Sequence, residues 1–98
     1  MITLDQARLI AQAYVDALRT DDPTDRLVLL DSETIEKVWG WVFFYQSSRW
    51  LVTKAVSDAL AGNSPIIVSR AAGTLHVTGT AYPLDHYIAR FERSTDPL

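Results

Sequence analysis

The chain has 98 residues, of which 48% are apolar and 21% charged, with a net charge of −3 and no cysteine. That length builds one domain around one core, burying roughly 60–70% of the unfolded surface. The missing cysteine excludes a disulfide scaffold, a Cys-ligated zinc site and a thiol nucleophile. No basic, apolar leader opens the sequence and no apolar run nears the ~20 residues of a membrane span, so neither a secretory signal nor a membrane segment is expected.

Thr3 to Arg19 is predicted as the first helix. Thr3 is a good N-cap, and Gln6 completes a capping-box spacing. Leu4, Ala7, Ala11, Tyr14 and Leu18 recur at intervals of three and four and so share a face. Asp5 in the first turn and Arg19 in the last complement the helix dipole. Thr20 to Thr24 is a polar break. Arg26 to Leu30 reads as a short strand, and Asp31 to Lys37 as a loop or a helical turn. Val38 to Gln46 is predicted as the longest strand, with Trp39, Trp41, Phe43 and Tyr45 on one face and Val38, Gly40, Val42 and Phe44 on the other. Both faces are apolar, which makes it a central strand. Gly40 among large aromatics marks a bulge or a close backbone approach.

Ser47 to Ala61 fits either a short helix or a strand that passes into a helix. Pro65 to Ser69 and Leu75 to Thr80 are predicted strands, joined by a tight hairpin in which Gly73 supplies a positive φ. Pro83 opens the last helix, where its missing N–H is harmless, and Leu84, Tyr87, Ile88 and Phe91 form its apolar stripe. Residues 94–98 read as a polar tail on a single domain spanning 1–93. The order predicts an α+β fold, a small antiparallel sheet of about four strands with the N- and C-terminal helices packed on it.

Charge is uneven. Residues 1–36 carry eight acids and three bases, a balance of −5, and residues 37–98 carry four acids and six bases, a balance of +2. No basic footprint for nucleic acid appears. Asp21, Asp22, Asp25, Asp31, Glu33 and Glu36 instead form an acidic stretch that reads either as a solvated face or as a surface suited to a basic protein partner. Their spacing does not make a calcium loop. His76 and His86, ten residues apart on different elements, match no metal spacing. Gly73 and Gly79 bracket a strand and so do not build a phosphate loop, and Ser47-Ser48 lacks a nucleophile-elbow context. No cofactor, metal or catalytic group is expected. The aromatic strand has no interleaved Lys or Arg, so it reads as core and not as a stacking platform. Arg49-Trp50, just past its end, reads either as a half-buried Trp beside a solvated Arg or as a contact pair, since both residue types are enriched at binding hot spots.

From Gly40 onward the chain resembles the immunity protein 35 family, also called YrhB-like. The resemblance rests on Gly40-Trp41-Val42-Phe43-Phe44-Tyr45, on Leu60 through Val68, on the hairpin through Gly73 and on Gly79 through Ile88. The opening helix with Ala7 and Tyr14 fits as well. It implies a small cytoplasmic bacterial protein that binds and neutralises a toxin encoded beside it, with no catalytic motif to carry over. A branch of the family is associated with a chaperone-like, protein-stabilising role. The toxin-binding candidates are Asp21, Asp22, Asp25, Asp31, Glu33, Glu36, Arg49 and Trp50. Two other readings stand beside this one: a stabilising binder of many clients, and a small-ligand pocket between the Trp39/Trp41 face and a helix.

Overall fold

Thr3 opens the first helix with a reciprocal cap. Its Oγ1 accepts from the Gln6 amide at 3.2 Å, and the Gln6 Oε1 accepts from the Thr3 amide at 2.9 Å. Two of the donors that a helix start leaves unpaired are thereby satisfied. The computed structural model describes residues 1–18, 26–53, 64–79 and 81–95. In it helix α1 spans Leu4–Ala17 and ends at Leu18 in an extended conformation. Its last turn carries no base, and the expected dipole partner Arg19 lies outside the described residues. Ala7, Ala11 and Val15 are wholly buried, while Leu4 is 47% exposed. The predicted face is present at Ala7 and Ala11, with Tyr14 and Leu18 packed against the same core, and only Leu4 departs from it. Alanines at positions 7 and 11 sit one above the other and let the helix lie close on the sheet.

The strands are β1 Leu27–Leu29, β2 Ile35–Lys37, β3 Gly40–Phe43, β4 Tyr45–Ser47, β5 Ile66–Ser69 and β6 Leu75–Val77. Helix α2 (Ser48–Thr53) follows β4, and α3 (Leu84–Thr95) closes the described chain. Ser47 to Ala61 thus begins as strand and continues as helix; residues 54–63 lie outside the described set. β2, β3, β5 and β6 form a four-stranded antiparallel sheet in that order, and β1 pairs with β4 in a separate two-stranded one. The fold is α+β, with the helices near both ends of the chain packed on the larger sheet.

Two strand expectations are corrected. The segment from Val38 to Gln46 is not one strand, and the polar stretch from Asp31 to Lys37 contains β2. Both follow from a single insertion. Leu30 N–H bonds to the Phe44 carbonyl at 2.8 Å, and Ile35 lies opposite Val42. Between those pairs one chain advances five residues and the other two. The excess three are the 3-10 turn Asp31–Glu33. It acts as an enlarged β-bulge, which bends a ladder and raises its twist. The pairing breaks at Phe44, and one long hairpin becomes two sheets.

The four-stranded sheet is covered on both faces. Trp41, Phe43, Tyr45, Ile66 and Val68 pack with Leu27 and Leu29 against α1. Val42, Ile67 and Trp39 pack with Ile88 and Phe91 of α3. Trp39 and Trp41 therefore point to opposite faces, although period-two alternation puts them on one. Trp39 sits in the β2–β3 turn, and Gly40 after it has φ +154°, a conformation that L side chains rarely adopt. A Cβ there would fall on the Val68 carbonyl oxygen. Gly40 thus marks the close backbone approach expected of it and also switches the face of its neighbour. Gly73 takes φ +70° in the β5–β6 hairpin.

Candidate functional site

Of the acidic candidates, Asp21, Asp22 and Asp25 lie outside the described residues. The other three lie on one stretch of chain, the bulge turn and the edge strand β2. Arg8 of α1 grips Asp31 with both ends of its guanidinium, Nε to Oδ1 at 2.7 Å and Nη2 to Oδ2 at 2.8 Å. That hydrogen bond holds the Asp31 carboxyl below its ordinary value of 3.8, with the Arg8 charge adding to it, and it raises the Arg8 guanidinium in turn. Glu36 accepts from Arg70 Nη2 at 3.0 Å. Glu33 is exposed and makes no side-chain bond among the described residues. The acidic stretch is thus partly neutralised by its own fold.

The Asp31 pair sets a small pH dependence. Its folded-state value is depressed, so its contribution is complete above about 3.8 and fades as pH falls through the lower folded value. The two side chains are 41% and 60% exposed, which limits the pair to less than about 0.5 kcal/mol. Asp31→Asn is expected to flatten the acid limb of stability, measured by urea unfolding between pH 5 and 2, by no more than that amount.

Arg70 is the organising base of this end of the sheet. Beyond Glu36, it donates to the Lys37 carbonyl at 2.9 Å and the Val38 carbonyl at 3.1 Å. Its guanidinium lies 4.4 Å from the Trp41 ring centroid, close enough for a cation–π contact. Its own amide bonds the Trp39 carbonyl, and its carbonyl accepts from Ile2. One side chain thus ties the β2–β3 turn to the β5–β6 hairpin.

Arg49 and Trp50 lie in α2, placed there by the backbone. The structure brings together no shared Trp39/Trp41 face for a small ligand, because the two rings sit in separate cores.

Two hollows lie on the described surface, the first beside Trp39 and helix α3, where a pocket was one of the expected readings, though without Trp41, and the second not foreseen from the sequence. The first is apolar, about 180 Å³, and floored by Trp39 and Phe91. Val38 and Met1 on its rim are 91% and 94% exposed. The second is a cleft of about 320 Å³ between β6 and α3. Ile67 and Phe91 form its floor, and His76, Thr78, Tyr87 and Arg90 its walls. The His76 ring meets Phe91 edge-on at 4.9 Å. Beside this cleft, Tyr82 stacks on His86 at 4.4 Å while remaining 60% exposed. His76, Tyr87 and Arg90 are far apart in the sequence, and no local pattern joins them.

Among the described residues no group of three or more His, Asp or Glu is placed to hold a metal ion. No described helix is long and apolar enough to cross a membrane. The features that stand out are surfaces: an acidic bulge, an apolar hollow and a cleft beside a strand edge. The profile of immunity protein 35 matches residues 5–90, and the chain belongs to that family. A protein of Escherichia coli (strain K12) described as uncharacterized protein YrhB is 38% identical to it over 53 residues, 54% of this chain and 56% of that protein. The chain therefore spans little more than half the length of that relative. No solved structure matches it.

Proposed function

We propose that this chain is a non-enzymatic immunity protein of the bacterial cytoplasm. It binds one cognate protein toxin, encoded by an adjacent gene, and blocks that toxin's active site or substrate groove. The observation that carries the reading is family membership across residues 5–90. The exposed acidic bulge supports it, because negative charge on a protruding turn steers a basic partner toward the surface. Asp31, Glu33 and Glu36, with Asp21, Asp22 and Asp25 before them, are the proposed steering residues, and Arg49-Trp50 a proposed contact. Against a basic nuclease, this stretch would occupy the nucleic-acid site.

The test is co-expression with the C-terminal domain of the product of the adjacent upstream gene. Restored growth and a one-to-one complex are expected. The association rate should fall steeply with salt, and reversing Asp21, Asp22, Asp25 and Glu33 to Lys should slow it about tenfold or more. An unchanged rate removes the acidic stretch from the interface. One observation favours a second reading, a stabilising binder of many clients: the apolar hollow with Met1 and Val38 exposed on its rim. Apolar surface of this kind marks binding sites when it is contiguous. Toxicity without rescue, together with bright apolar-dye binding by the folded chain, would favour that reading.

A further inference from the structure

The two edges of the four-stranded sheet are treated differently. At β2 the chain carries Glu36 and Lys37, lies next to the bulge, and is tied down by Arg70. Charge and bulges are the usual protections of a strand edge. At β6 there is none of this. Thr74 to Thr78 holds no charged residue and no proline.

The bonding pattern shows what β6 offers. Ser69 donates to the Thr74 carbonyl at 2.9 Å and Thr78 to the Pro65 carbonyl at 3.0 Å. Antiparallel ladders alternate, so His76 completes the inward set opposite Ile67. Leu75 and Val77 then turn their N–H and C=O groups outward. Among the described residues these groups meet no partner, since β6 pairs with β5 alone. Val77 is also 47% exposed.

Directly beside this edge lies the β6–α3 cleft, with an apolar floor and Arg90 on its wall. Arg90 is exposed and forms no ion pair among the described residues. His76 and Tyr87 offer further polar atoms on the same walls. A backbone edge and a cation that lack partners among the described residues, beside an apolar floor, suit an extended peptide segment bearing a carboxylate.

We propose that β6 is the anchoring edge of the toxin complex. An extended segment of the toxin adds to it as a fifth strand, bonding the outward groups of Leu75 and Val77, and an Asp or Glu side chain of that segment enters the cleft beside Arg90. This inference rests on the immunity reading and names the surface that reading leaves open. It complements the acidic bulge, which governs approach, by supplying the contacts that govern release. A second copy of this chain is a poorer occupant. A two-fold axis normal to the sheet would put both α3 helices on one face, adding a second Arg90 and no acid from β6.

The test is hydrogen exchange on the full chain with and without the neighbouring gene's toxin domain, paired with binding by Arg90→Glu and Val77→Pro. Exchange at Leu75 and Val77 is expected to slow about 100-fold in the complex, as it does when open strand edges become paired. Arg90→Glu should weaken binding about 30-fold or more, and Val77→Pro, which removes an outward donor, about tenfold. The wild-type exchange arm needs no variant to fold. A complex that leaves Leu75 and Val77 unprotected overturns the strand addition and leaves the immunity reading intact. Protection that rises with concentration of this chain alone assigns the edge to a second copy and overturns the proposal. Absence of any complex removes the immunity reading, and the inference falls with it.

Discussion

Gly40→Ala is expected to cost about 3–4 kcal/mol, near the upper end for a point substitution, and to lower the melting temperature by roughly 15–25 °C in a domain of this size. Two effects combine. The φ of +154° is strained for any L side chain. The added methyl also falls on the Val68 carbonyl oxygen, with the Arg70 amide 3.0 Å away. Both obstacles are backbone, so no side chain can turn aside. Relief requires moving β3 from β5 where Trp41 faces Val68, and that motion opens both cores. Gly73→Ala is the control. Its φ of +70° carries a similar intrinsic penalty, but the new methyl meets the Ile10 Cδ1 at 3.1 Å and Ile2 side-chain carbons at 3.5 and 3.7 Å, all of them atoms of movable side chains. Its cost should stay near 1–2 kcal/mol. Thermal unfolding of the two variants checks the difference. Equal shifts would mean that the Val68 contact contributes nothing beyond backbone strain.

The same glycine shows where sequence reading stops. The helix cap at Thr3 and Gln6, the β5–β6 hairpin with Gly73 and the stripe of Ile88 and Phe91 are local patterns, and each was legible. The split between β3 and β4 was not. Trp41 to Tyr45 alternates without interruption, so nothing in that segment announces a break. The cause lies on the partner strand, in three extra residues between Leu30 and Thr34. The face of Trp39 was hidden for a related reason. Alternation assumes extended backbone throughout, and the turn with Gly40 violates that assumption at one position.

The candidate site divides in the same way. The acidic stretch was visible as charge, but charge does not disclose its partners. Arg8 lies 23 residues from Asp31 and Arg70 lies 34 from Glu36, so only the fold reveals that these acids are already paired. The β6–α3 cleft was invisible, since it depends on strand order and on where α3 crosses the sheet. One signal was present: the run Thr74 to Thr78 lacks charge, which is unusual for a strand that proves to be an edge.

Replacing each inner tryptophan by alanine is expected to cost about 3–5 kcal/mol, but phenylalanine should separate the two. Trp39 and Trp41 are nearly equally buried, at 9% and 1% exposure. Their indole N–H groups differ. Trp39 Nε1 donates to Glu92 Oε2 at 2.8 Å, while Trp41 Nε1 is buried with no hydrogen-bond partner among the described residues. Trp39→Phe keeps a ring against Phe91, now 4.7 Å away, but gives up a bond to a charged acceptor worth about 1.5–3 kcal/mol. Trp41→Phe gives up no bond. It removes an orphan donor whose desolvation costs about 1–3 kcal/mol, and this offsets the smaller ring and the weaker attraction for the Arg70 guanidinium. The net change at Trp41 should therefore lie within about 1 kcal/mol of zero, with Trp39→Phe clearly the more damaging. Urea unfolding of both variants decides the matter. If Trp41→Phe proves as costly as Trp39→Phe, the Trp41 N–H is satisfied in solution and that ring is held by a bond as well as by packing.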